Sequence, residues 1–159
     1  MRNFVAVSAA LLAATLAFSA EAQVPQYGTD INLEQAKKVI AAGQAEARKN
    51  NWPIAIAIVD NHGFLVAFEK MDGTQTASVA IALDKGSSAA MYRRPTKVIQ
   101  DAVAGGGAGI RFLNLRGASA VEGGLPIVVG GKIIGGVGVS GVTSDQDGVV
   151  AKAGTDALK

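Results

Sequence analysis

The chain has 159 residues, 49% of them hydrophobic and 18% charged, with a formal charge of +2, one histidine and no cysteine. That size suits one globular domain, and a basic excess of two with no Lys/Arg run longer than a pair such as Arg93-Arg94 argues against a nucleic-acid surface. The missing cysteines exclude thiolate ligands, disulfides and cysteine nucleophiles, and the lone histidine excludes two- and three-His metal sites within one chain.

Residues 1–22 read as an export leader: Arg2 supplies a positive start, Phe4 to Phe18 an apolar core, and Ala20-Glu21-Ala22 a small-x-small cleavage site. The mature protein is expected to begin at Gln23, in the periplasm or secreted from a bacterium, with no membrane span after cleavage. A single domain is expected over 23–159. Asn32 opens a first helix as its N-cap, with apolar residues at 33, 36, 39, 40, 43 and 47 repeating at helical spacing until Asn50-Asn51. Ile54 to Val59 is a continuous apolar run, the mark of a strand buried on both faces. Asp60-Asn61-His62-Gly63 is turn chemistry, and a second strand runs from Phe64 to about Lys70.

A helix is predicted from about Thr76 to Tyr92, laying Val79, Ala80, Leu83, Gly86, Ala90 and Met91 on the sheet. Pro95 ends it, and Thr96 caps a short helix to Ala104. Four glycines in Gly105-Gly106-Gly107-Ala108-Gly109 predict a flexible loop, followed by a strand over Ile110 to Leu115 and a loop to Val121. Two Val/Ile-rich runs split by Gly130-Gly131-Lys132 predict a tight antiparallel hairpin at the sheet centre. Glycines at 135, 136 and 138 leave one arm nearly bare, the sign of close approach by a helix, another backbone or a ligand. Ser144-Asp145-Gln146-Asp147 caps a terminal helix. The order α-β-β-α-α-β-β-β-α makes an α+β domain with helices packed on an antiparallel sheet.

The chemical motifs are sparse. Gly136-Val137-Gly138-Val139-Ser140-Gly141 has the G-x-G-x-x-G form, but it lies inside a strand without a βαβ unit, so it reads as a strand thinned for packing. Asp145-Gln146-Asp147-Gly148 lacks the closing glutamate of a calcium loop. His62 is the one near-neutral base or nitrogen ligand, although a solvated turn residue is the plainer reading. Lys85, Ser88 and Tyr92 recur at spacings of three and four. They form either a solvated helix face, with Lys85 exposed, or a face that meets an anion together with Arg93, Arg94 and Thr96.

The ordered set Leu33-Glu34-Gln35-Ala36, Ala57 to Ala67, Lys70-Met71-Asp72-Gly73, Ala82-Leu83-Asp84-Lys85-Gly86, Pro95-Thr96, Gly123-Gly124-Leu125-Pro126-Ile127 and Gly135 to Gly141 resembles the haem-binding or haem-degrading family typified by GlcG and HbpS, which includes the C-terminal domain of PduO-type proteins. The resemblance implies a profilin-like α/β/α layering around an about five-stranded antiparallel sheet, and dimers or higher even oligomers. It implies haem as a ligand, bound, degraded or used for iron sequestration. The family's polar points fall on Asp60, Asp72, Lys85, Thr96, Gly123, Gly124, Ser140 and Asp147, and Thr96 matches a position where a haem-binding relative supplies a hydroxyl ligand. Lys70 stands where relatives usually carry arginine, so the planar fork that grips a carboxylate is lost there. Two functions follow as expectations. In one, an exported haem binder uses Lys85, Arg93 and Arg94 on the acids, the bare glycine strand for close approach, and His62 or Thr96 toward the iron. In the other, an enzyme on a small organic acid uses Asp60 or Asp72 as base beside Lys85; an oligomer without catalysis is the remaining alternative.

Overall fold

The computed structural model describes residues 24–159; the leader expected over 1–22 lies outside the described residues. The first helix, α1 (Leu33–Lys49), starts in a capping box, the Asn32 carboxamide oxygen accepting the Gln35 N–H at 2.9 Å and the Gln35 side chain accepting the Asn32 N–H. Strands β1 (Ala55–Val59) and β2 (Leu65–Lys70) form the expected hairpin. Helices α2 (Ser78–Tyr92) and α3 (Thr96–Ala104) follow. A second hairpin pairs β3 (Gly124–Val129) with β4 (Lys132–Ser140), and α4 (Ser144–Asp156) closes the chain. Gly130 and Gly131 turn this hairpin with φ of +56° and +75°, a left-handed pair that glycine adopts without penalty.

All strand pairs are antiparallel in the order β2-β1-β4-β3, a four-stranded sheet. Only β4 of the hairpin lies at the sheet centre as expected; β3 is an edge strand, where the missing N–H of Pro126 costs least. The leading segment adds a strip of backbone beside the start of β4. Tyr27 bridges Ile133 in parallel, and the Ile31 N–H donates to the Ile134 carbonyl at 2.7 Å.

Alternation in β1 sorts the layers. Ile54, Ile56 and Ile58 join Val39, Ile40, Val150 and Ala151 in the core under α1 and α4, whereas Ala55 and Ala57 meet Ala82 of α2 on the opposite face. The sheet is therefore sandwiched between α1/α4 and α2.

Two sequence expectations give way here. Residues 107–114 form a 3-10 helix packed on α3 instead of a strand, because the left-handed glycines 106 and 107 turn the chain back over α3, away from any sheet edge. The buried side of α2 is also different: it consists of Ser78, Ala82, Lys85, Gly86, Ser88, Ala89 and Ala90, while Val79 and Met91 are exposed. Small residues win that face because β4 carries almost no side chains opposite it. A Cβ on Gly138 would run into the Ala82 carbonyl and the Gly86 nitrogen, and one on Gly136 into the Gly86 carbonyl. The close approach predicted for the bare strand is thus made by α2, so this strand offers no room to a ligand.

Candidate functional site

Lys85 is the largest fully buried side chain, 1% exposed, and not the solvated lysine expected from its charge. Its ammonium donates to the Asp147 carboxylate at 2.8 Å and to the Val139 carbonyl at 3.0 Å. The other Asp147 oxygen accepts the Val142 N–H at 3.3 Å. Burial pushes the Asp147 carboxyl above its ordinary range, and Lys85 pulls it back only in part. Gly123, with φ of +121°, closes over this pair; a Cβ there would lie 2.8 Å from the Lys85 nitrogen. Gly124 abuts Thr96, whose buried hydroxyl oxygen accepts the Gly124 N–H at 2.9 Å. Thr96 is therefore the first residue of α3 rather than its cap, and its hydroxyl is committed to backbone. Ser140 donates to Ser78 at 3.0 Å in the same interior. Thr143 and Gln146, rather than Asp147, form the capping box of α4.

The helix face expected to meet an anion is thus divided. Lys85 and Ser88 point inward, the Ser88 hydroxyl oxygen accepting the Ser119 N–H at 2.9 Å. Tyr92 donates to the Arg116 carbonyl at 2.8 Å, and Arg94 donates through Nε to the Tyr92 carbonyl at 3.0 Å. Asp72 is exposed in the turn between β2 and α2, and Lys70 is exposed at the end of β2. Asp60 folds its own turn, one oxygen accepting the His62 and Phe64 N–H groups at 2.8 and 2.9 Å. Neither Asp60 nor Asp72 is brought to Lys85, whose carboxylate partner is Asp147 instead.

Arg93, half-buried, is the member of the set that lines a cavity. It ends α2 in the left-handed region at φ +52°, its guanidinium 5.5 Å from the centre of the Tyr27 ring. Tyr27 in turn donates to the Ala90 and Met91 carbonyls at 3.0 Å, which ties the leading segment to the helix end. Beside them opens a cavity of about 320 Å³, walled by Pro25, Pro95, Leu125, Pro126, Val128 and Ile133. Arg93, Thr155 and Lys159 supply its polar groups, the Lys159 ammonium also pairing with the Asp156 carboxylate. An apolar slot with two cations suits a flat, acid-bearing molecule: hydrophobic walls take the body and the cations its carboxylates. No His, Met or Tyr is among these lining residues, and the one hydroxyl on the wall is that of Thr155. His62 lies elsewhere, its side chain 70% exposed, stacked on Phe64 and 4.0 Å from the Asp30 carboxylate.

Sequence reasoning missed Lys159, the apolar walls of this cavity, and Asp147 as the partner of Lys85. The proline and Val/Ile walls look like any strand and turn until β3 is known to be an edge. A lysine inside a segment destined for burial was the one available signal for a buried acid.

Residues 31–156 match the family described as "Haem degrading protein HbpS-like". The chain belongs to the HbpS-like family. It is 42% identical over 110 residues to Protein GlcG of Escherichia coli strain K12, spanning 69% of this chain and 81% of GlcG. The structure of Klebsiella pneumoniae ORFY superposes with a TM-score of 0.76 at 31% identity, covering 84% of this chain and 93% of ORFY. HbpS superposes with a TM-score of 0.76 at 27% identity, covering 84% and 94%. The α+β architecture expected from the sequence is thus the HbpS-like fold.

Proposed function

We propose that this HbpS-like chain is an exported binding protein for haem or a similar flat, acid-bearing molecule, held in the cavity between the end of α2 and strand β3. The observation that carries the reading is the pairing of six apolar wall residues with the Arg93 and Lys159 cations. Haem, when bound, supplies the redox chemistry of its iron. The chain's own contribution is to shield the ligand's apolar body on Leu125, Pro126, Val128 and Ile133 and to orient its acids toward Arg93 and Lys159. Arg93 is held for this by the Tyr27 ring, whose face favours a cation. At about 320 Å³ the cavity is at the small end of ligand sites, near 300–1,000 Å³, so a porphyrin-sized body would project from it. A second copy covering the projecting edge accords with the even oligomers that the family resemblance implies.

The test is a haem titration followed by Soret absorbance after gel filtration. Arg93→Gly removes the cation while keeping a residue at ease with φ +52°, and Val128→Asp places a like charge on the wall. Loss of one charge-assisted contact should weaken binding roughly 10- to 100-fold. A parent protein that stays colourless after haem addition, or two variants that bind haem as the parent does, overturns the reading.

A further inference from the structure

We infer that Asp30, Asp60 and His62 form a site for a divalent first-row transition-metal ion, separate from the cavity at Arg93. These three residues each offer a ligand atom, and the atoms all lie within 4.8 Å of one another. They come from two segments: the turn after β1 and the leading strip that Ile31 anchors to Ile134.

Each carboxylate is aimed by one oxygen and left open at the other. Asp60 Oδ1 accepts the His62 and Phe64 N–H groups, leaving Oδ2 without a partner among the described residues. Asp30 Oδ1 accepts the Asn61 N–H at 3.1 Å, leaving Oδ2 beside the imidazole. The 4.0 Å between Asp30 Oδ2 and His62 Nδ1 is too long for a hydrogen bond. Two ligands of one ion, each about 2.0–2.2 Å from it, stand somewhat closer than this, so a small side-chain rotation completes the site. Among the described residues neither carboxylate is paired with Lys or Arg, so the corner carries two uncompensated negative charges that a dication would neutralise.

A second observation points the same way. Asn61, between Asp60 and His62, is only 8% exposed, and its side-chain Oδ1 is buried with no hydrogen-bond partner among the described residues. Its Nδ2 donates to the Gly28 carbonyl at 3.0 Å and its backbone N–H to Asp30, which places the residue in the same corner. A buried amide oxygen without a donor is costly, and a cation bound at this corner would offset part of that cost. One imidazole and two carboxylates, with exposed positions left for water, suit Zn²⁺, Co²⁺ or Mn²⁺ and not a thiolate-seeking ion.

The experiment is titration of the untagged mature chain with Co²⁺ and Zn²⁺, by calorimetry and by the visible absorption of Co²⁺. One histidine and no cysteine leave a single side-chain source for a nitrogen ligand. Expected is one ion per chain, a shift of the His62 ring resonances on Zn²⁺ addition, and at least tenfold weaker binding in His62→Ala, Asp30→Asn and Asp60→Asn. The two asparagine variants keep an oxygen for the backbone N–H groups, so the turn survives, and circular dichroism checks it. Arg93→Gly should bind Zn²⁺ as the parent does, which separates failure here from failure of the haem reading. Absence of stoichiometric binding at micromolar metal, or retention of parental affinity in both asparagine variants, overturns the inference.

Discussion

Lys85→Met tests the interior of this fold most sharply. The variant keeps the length and apolar stem of the side chain but deletes the ammonium. Two acceptors then lose their donor in a region closed to water: the Asp147 carboxylate at 2.8 Å and the Val139 carbonyl at 3.0 Å. Asp147 is 2% exposed and cannot recover its hydration without moving α4. Breaking a buried pair from one side costs about 3–5 kcal/mol, a large part of the roughly 5–15 kcal/mol that holds a domain together. Urea denaturation followed by circular dichroism measures it. Asp147→Asn should also destabilise, while Lys85→Met/Asp147→Leu should regain most of the loss, since a well-packed apolar pair often matches a buried ionic one. The pH dependence carries a sign. Because burial raises the Asp147 carboxyl above its ordinary value, protonating it favours the folded state. That contribution is complete below the ordinary carboxylate range and is lost as pH rises through the raised value. Removing Lys85 takes away the group that pulls this carboxyl down, so it stands higher still in Lys85→Met, and the penalty relative to the parent should shrink on acidification. A Lys85→Met protein within about 0.5 kcal/mol of the parent at neutral pH, the range of an ordinary surface change, would refute the reasoning.

Three further outcomes are expected. Gly138→Ala should destabilise by about 1–3 kcal/mol or more, read in the same urea assay, because its Cβ meets the Ala82 and Gly86 backbone rather than a movable side chain; a neutral result would mean that α2 can lift from the sheet. Asn32→Ala should cost about 1 kcal/mol by removing the acceptor for Gln35 N–H at 2.9 Å, and a change below 0.3 kcal/mol on the same scale would show the cap to be idle. Intact mass of material exported by a bacterium should begin at Gln23, and a chain retaining Met1 to Ala22 would count against export.

The hairpins, the first helix and the last were legible because each is a local pattern. Ile54 to Val59 has no polar position to expose, and Gly130-Gly131 takes without penalty the positive φ that a two-residue turn requires. Ile110 to Leu115 misled because its apolar residues suit a strand, and only the geometry of Gly106 and Gly107 decides that it lies on α3. On α2, hydropathy placed Val79 and Met91 inside and Lys85 outside. The reverse holds because the α2 backbone closes onto Gly136 and Gly138 of β4, leaving no space for large side chains there, and because an acid 62 residues away meets the lysine. Asp30 joined no sequence pattern. It reaches His62 only through the pairing of 27–31 with Ile133 and Ile134, a contact more than a hundred residues long in sequence.

The meeting of α2 with β4 has a consequence for how this chain can vary. At most layer contacts a larger residue on one side can be matched by a smaller one opposite, so the pair drifts together. Here both sides have already reached the lower limit of size, Gly136 and Gly138 against backbone atoms of Ala82 and Gly86. No exchange on the helix can make space for a substitution on the strand. The helix could yield only by sliding, and sliding would pull Lys85 from Asp147 and Ser78 from Ser140 together. Diversification is thereby pushed to the rim of the sheet, where β3, the leading strip and the turn after β1 can change composition without moving the layer beneath them.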